Sequence, residues 1–169
     1  GWLLDPARRK LALLTSKGFS YIICMAYRGK FQPKNPSKYL GDPTKITYRS
    51  LWERKCMLIF DDNPNVIRWA SEEIAIPYFS PVDKRRHKYY PDFITEVKNK
   101  DGEIETLMIE VKPAKQTKTP KKPKRVTQRF LNEANTYLVN QAKWEAASIV
   151  CREKGWKFKI LTEKEIYGK

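Results

Sequence analysis

A mixed α/β domain with a small central sheet flanked by helices is the fold class this sequence predicts, and three observations predict it. Residues 50–60 carry apolar side chains at helical spacing. Residues 89–111 form two apolar runs across an Asp101-Gly102 turn, and residues 128–154 are helix formers followed by the alternating run WKFKIL. Helices and strands interleaved in this order pack as layers around one core. A chain of 169 residues suits one domain that buries its core without disulfides or structural metals.

The elements follow in order. Residues 1–24 place Arg8, Arg9 and Lys10 before a short apolar run that Lys17 and Gly18 interrupt, which makes a poor secretion signal. Met25 reads as an alternative or ancestral start. Residues 26–46 are rich in Pro, Gly, Lys and Asn without periodicity, and read as an extended basic arm. The expected division is therefore 1–45 as extension and arm, and 46–169 as the folded domain. In SLWERKCMLIF, Leu51, Trp52, Cys56, Ile59 and Phe60 share a helical face, and Ser50 with Glu53 matches a capping box. VIRWASEEIAIPY is β-rich, and SPVDKRRHK reads as a charged turn. Two strands then flank Asp101-Gly102 as a hairpin. PAKQTKTPKKPKR has three prolines and no acid, and reads as a mobile basic loop without regular structure. The long second helix has a stripe through Leu131, Ala134, Leu138, Ala142 and Ile149, with Gly155 ending it. TEKE looks like a capping box opening a last short helix.

Composition narrows the function classes. Lys and Arg outnumber Asp and Glu 34 to 19, a net charge of +15 that suits a polyanionic partner, DNA or another nucleic acid before an anionic membrane. No apolar run approaches the roughly 18 residues of a membrane span. Three scattered cysteines and one histidine argue against a zinc site and for a reducing, intracellular setting.

Asp92, Glu110 and Lys112 carry the chemistry. A strand that only had to pack would not choose these charges. On a strand, residues two apart point the same way, so Glu110 and Lys112 share a face with Met108 while Leu107, Ile109 and Val111 take the other. Asp92 lies on the neighbouring strand of the hairpin, about 5 Å away if the register permits. Pro91 marks an edge or bulge where a side chain can be re-aimed. Glu96 is four residues from Asp92, about 13 Å along the strand, too far for one ion to bridge. Two carboxylates holding Mg²⁺ leave positions open for water and phosphate, which is the arrangement phosphodiester hydrolysis uses. Lys112 would orient the attacking water and stabilise developing charge. Glu53 is either a further metal contact or only the N3 carboxylate of its cap. His87 reads as a solvated turn residue, and Gln141 and Lys143 as surface or packing residues. Arg85, Arg86, Lys115, Lys118, Lys121, Lys122, Lys124 and Arg125 are the expected phosphate contacts.

A helix bearing Glu53, then Pro91-Asp92, then Glu110-Val111-Lys112, then a helix and a strand, resembles the PD-(D/E)XK nuclease superfamily over roughly residues 46–162. More narrowly, YRSLWERKCM, IEVKP and NQAKWEAA, with the long block that ends in YYPDF, resemble the head-completion nucleases of tailed phages. The strand-cutting subunits of heteromeric transposases are similar but more distant. The resemblance implies a restriction-endonuclease-like αβββαβ core and DNA cleavage dependent on Mg²⁺, or on Mn²⁺. It also implies a role in finishing filled heads beside phage head or neck proteins, in the virion or the host-cell cytoplasm. A transposon-end or junction-resolving endonuclease would share the site. A non-catalytic DNA-binding head–tail adaptor would use the basic loop without the acids.

Overall fold

The computed structural model describes residues 27–168. Residues 1–24 and the Met25 start lie outside them. Two short strands, β1 (Gly29–Lys30) and β2 (Thr47–Tyr48), pair as an antiparallel ribbon. Helix α1 (Leu51–Asp62) opens at Ser50, whose Oγ accepts the Glu53 N–H at 3.1 Å. The Glu53 carboxylate reaches back one residue further than a capping box requires, accepting from the Arg49 N–H at 2.9 Å. The buried arc of α1 is Trp52, Cys56, Met57, Phe60 and Asp61. Ile59 falls just past its Trp52 edge and is 37% exposed, so the expected stripe is rotated toward Met57.

The β-rich run after α1 is two strands in different sheets. Strand β3 (Val66–Ser71) belongs to the central sheet, whereas β4 (Ile76–Phe79) pairs with β5 (Arg86–Tyr89) as a separate hairpin. The chain breaks between β3 and β4 at Glu72, a non-glycine residue with φ of 56°. The expected charged turn thus contributes a strand, and only residues 80–85 turn. Strands β6 (Phe93–Lys98) and β7 (Ile104–Val111) form the predicted hairpin, with Gly102 at φ 81°. Helix α2 (Gln128–Lys154) ends at Gly155 in the left-handed region, and β8 (Lys157–Leu161) and α3 (Glu163–Tyr167) complete the chain. At Thr162 the predicted capping box with Glu165 is fully formed.

The central sheet has the order β3-β6-β7-β8, antiparallel except for the parallel β7–β8 pair. A parallel neighbour needs a crossover, and α2 supplies it. The core order α1, β3, β6, β7, α2, β8 is αβββαβ, with the β4–β5 hairpin inserted after the first strand. Strand β7 alternates as its sequence requires. Leu107, Ile109 and Val111 join Trp52, Met57 and Phe60 of α1 in one core, and Met108 joins Trp144, Ala147 and Cys151 of α2 in the other.

Three expectations are revised. Residues 27–46 do not extend away from the body: Phe31 and Ile46 are in the α1-side core, and Tyr39 packs edge-on against Trp69 at 4.8 Å. Asp61 fastens this segment by accepting the Lys34 and Asn35 N–H groups. The basic loop starts with regular structure, a 3₁₀ turn at Ala114–Thr117 after buried Pro113. The buried face of α2 is Asn140, Trp144, Ala147 and Cys151, while Leu131, Leu138 and Ile149 are exposed. The reason is length. At 1.5 Å per residue α2 spans about 40 Å, longer than the sheet it covers, and packing is confined to its second half, where small Ala147 and Cys151 admit Met108. No described helix is long and apolar enough to cross a membrane.

Candidate active site

The hairpin register brings Asp92 and Glu110 together. Phe93 pairs with Ile109, so Asp92, one residue before β6, comes abreast of Glu110. Asp92 Oδ2 accepts the Val111 N–H at 2.7 Å, which fixes the carboxylate against β7. Glu110 is buried on the α2 side of the sheet. Its Oε2 accepts the Tyr89 hydroxyl at 2.5 Å, and its Oε1 lies 3.3 Å from Lys112 Nζ. These groups line a cleft of about 530 Å³. Glu53 enters it from the first turn of α1, so all four predicted site residues share one cavity.

Electrostatics mark the cluster. Burial pushes the Asp92 carboxyl well above the usual carboxylate range, and nearby Glu110 and Glu53 push it further. Burial also raises Glu53, with the Arg49 N–H acting against it. The Cys56 thiol, buried in the α1-side core, is pushed up to about 12 by burial and by Asp92 and Glu53, so it is an inert packing group rather than a nucleophile. Such an accumulation of like charge in a low-dielectric wall suits a cation. The donors are hard carboxylate oxygens, the set for Mg²⁺ or Mn²⁺ rather than a soft metal. Among the described residues no three acidic, His or Cys side chains stand as a ready cage. A Mg²⁺ ion does not need one, since it keeps several waters and takes one or two carboxylates.

Five cations share the cleft: Arg28, Arg49, Lys88, Lys112 and Lys143. Only Lys112 was singled out in the sequence as catalytic. Arg49, beside the N-cap of α1, pairs with Glu72 and lies 3.7 Å from Asp92 Oδ1. Glu72 in turn donates its N–H to the Asp92 carbonyl oxygen. Nothing in its sequence context announces this, because the contact depends on the left-handed break after β3. Of the surface and packing readings of Lys143, the structure shows packing: the residue is half-buried, and its Nζ lies over the rings of Tyr78 and Tyr89 at 5.7 and 5.8 Å. Burial, then Lys112, lowers its pKa. The signal in the sequence was its spacing of one residue before Trp144. His87, read as a turn residue, lies on β5 with Nε2 2.7 Å from Asp83 Oδ2. None of the eight expected phosphate contacts lines the cleft. Arg85 and Arg86 are exposed on the β4–β5 hairpin, and Lys115, Lys118, Lys121, Lys122, Lys124 and Arg125 are on the loop that leaves Lys112, all of them exposed. Thr119 of that loop donates to the Tyr137 hydroxyl on the outer half of α2.

A nuclease fold with a carboxylate–lysine cleft defines the class, and comparison with known families agrees. The family described as "TnsA-like endonuclease N terminal" matches residues 63–163, and the chain belongs to it. The matched stretch includes Asp92, Glu110 and Lys112. Among curated proteins, the "Head completion nuclease" of Enterobacteria phage T4 is 46% identical over 143 residues, covering 82% of this chain and 93% of that protein.

Proposed function

We propose that this protein is a Mg²⁺- or Mn²⁺-dependent deoxyribonuclease that acts in phage head completion, with phage head or neck proteins as its setting in the host cytoplasm or virion. The observation that carries the chemistry is the convergence of Asp92, Glu110 and Lys112 on one cleft, with Glu53 facing them from α1. The biological setting rests on the near full-length likeness to the phage T4 head completion nuclease.

Asp92 and Glu110, with Glu53, are the residues that would hold the ion. When bound, it supplies Lewis-acid polarisation of a phosphate oxygen and a more acidic water. The chain does the rest. Tyr89 and the Val111 N–H lock the two carboxylates in place. The Lys112 ammonium, held beside Glu110, orients a water and offsets charge that develops on the phosphate. Arg28, Lys88 and Lys143 give the cleft the positive field that draws in a DNA backbone. A purely DNA-binding adaptor would have no use for two buried carboxylates in that field, because they repel phosphate. The test is incubation of circular and linear DNA with the protein in Mg²⁺ or in EDTA, beside Asp92→Ala. Cutting in Mg²⁺ alone, lost in the variant with its fold retained, supports the reading; cutting by Asp92→Ala would overturn it.

A further inference from the structure

The β4–β5 hairpin is not part of the αβββαβ core, yet its base forms one wall of the cleft. Its inner face is committed to packing. Ile76 and Tyr89 are buried against α2, and Tyr78 stacks on His87 at 5.8 Å beneath Lys143. Its outer face is different. Directly paired residues of an antiparallel ladder place their side chains on the same face, and the pairs Phe79–Arg86 and Pro77–Lys88 are the ones turned outward. Phe79 is 56% exposed, with Arg86 and Lys88 beside it. From Arg86 the strip continues through Lys88 to Tyr90, both of which line the cleft. Tyr90 is 48% exposed. The distance from Arg86 to Tyr90 is about 13 Å at 3.3 Å per residue.

A strip in which two cations, Arg86 and Lys88, lie between two exposed rings, Phe79 and Tyr90, and which ends beside two carboxylates, is the pattern that binds unpaired nucleic acid. Cations track the phosphates while bases stack on the exposed rings. Paired DNA cannot use the rings, because its base faces are hidden in the stack. Single exposed apolar residues are ordinary on a protein surface. Here, however, the ring is flanked by charge complementary to phosphate and is continuous with the reaction cleft. We infer that the outer face of the β4–β5 hairpin is a stacking platform for an unpaired strand, so that the nuclease acts preferentially where duplex DNA frays or branches into unpaired arms. The inference rests on the nuclease reading above and adds the substrate class.

The test separates the two. Fluorescence anisotropy in EDTA measures binding of a blunt duplex and of the same duplex with unpaired arms, using the parent, Phe79→Ala, Phe79→Trp and Tyr90→Ala. The parent binds the forked duplex more tightly. Phe79→Ala lowers the ratio of forked to blunt affinity roughly tenfold, the scale of one base–ring stack, and Phe79→Trp keeps it. Tyr90→Ala lowers the ratio as well. Equal affinity of the parent for both forms overturns the platform. So does a Phe79→Ala ratio equal to the parent's, which would make the face a surface for another protein. Cleavage of the blunt duplex in Mg²⁺ is scored independently. If it is cut without any preference, the platform alone fails; if neither form is cut although the preference holds, the nuclease reading alone fails.

Discussion

Tyr89 donates its hydroxyl proton to Glu110 Oε2 at 2.5 Å inside the protein, and so holds the carboxylate that the neighbouring Lys112 approaches from the other oxygen. Burial, with Glu110 beside it, pushes the Tyr89 hydroxyl far above the normal phenol range, so it stays a donor at any working pH. Tyr89→Phe keeps the ring that packs under Lys143 but leaves one Glu110 oxygen without its partner. Loss of a buried donor costs about 1–3 kcal/mol. The expected outcome is a lower melting temperature and a Mg²⁺ titration of DNA cleavage displaced to higher concentration, with DNA binding in EDTA unchanged. A parental Mg²⁺ titration would show that Tyr89 does not position the ligand.

Asp92 gives the metal-free protein a pH dependence whose sign follows from its environment. Its folded pKa is raised by burial and then by Glu110 and Glu53, above an unfolded value of about 3.9. The folded state therefore binds the proton more tightly. Stability falls as pH rises from about 4 through the folded pKa, and the loss is complete above it. Asp92→Asn keeps an oxygen for the Val111 N–H and removes the titration. In EDTA the variant should melt higher than the parent near pH 8, and the gap should close as pH falls toward about 4. Differential scanning fluorimetry across that range measures it, and a gap that is constant with pH would count against Asp92 as the destabilised group.

Much of this arrangement was legible because it depends on short-range periodicity. Glu110 and Lys112 share a face by strand alternation, and the Asp101-Gly102 turn sets Asp92 opposite Glu110. Ser50 marks the start of α1 and places Glu53 in its first turn. What was not legible depends on where elements stop and on what they meet. The break at Glu72 splits one β-rich run between two sheets and brings an unforeseen carboxylate to Arg49. The stripe on α2 misled because the helix outruns its sheet, so Leu131 and Leu138 meet no layer among the described residues and stay exposed. Residues 27–46 lack periodicity because they wrap instead of forming an element, although Phe31, Tyr39 and Ile46 mark where they touch.

The basic loop leads away from Lys112 with all six of its cations exposed, and none of them lines the cleft. Neutralising Lys121, Lys122, Lys124 and Arg125 to Gln should flatten the slope of log K against log salt by roughly 0.9 for each phosphate left without its cation. Melting should be unaffected, since none of the four is in the core. Affinity measured across a salt series decides, and a parental slope would reduce the loop to a connector.

Glu53 has two readings that one substitution separates. In the structure its carboxylate accepts the Arg49 N–H at 2.9 Å while its own N–H donates to Ser50. It thus satisfies a backbone donor just ahead of α1 and faces the cleft at the same time. Gln can accept that Arg49 bond as well as Glu can. What Glu53→Gln removes is charge, of which the favourable part at a helix N-terminus is typically about 0.3–1 kcal/mol. Against this stands relief of repulsion with Glu72 and Glu110, which add to burial in raising the Glu53 pKa. The two effects oppose, so melting should stay close to the parent. A hard cation is less forgiving, because a neutral amide offsets none of its charge. Cleavage by Glu53→Gln should therefore fall steeply at every Mg²⁺ concentration while the melting curve barely moves. Parental cutting rates across the titration would make Glu53 a helix cap alone, and leave Asp92, Glu110 and Lys112 as the whole of the chemistry.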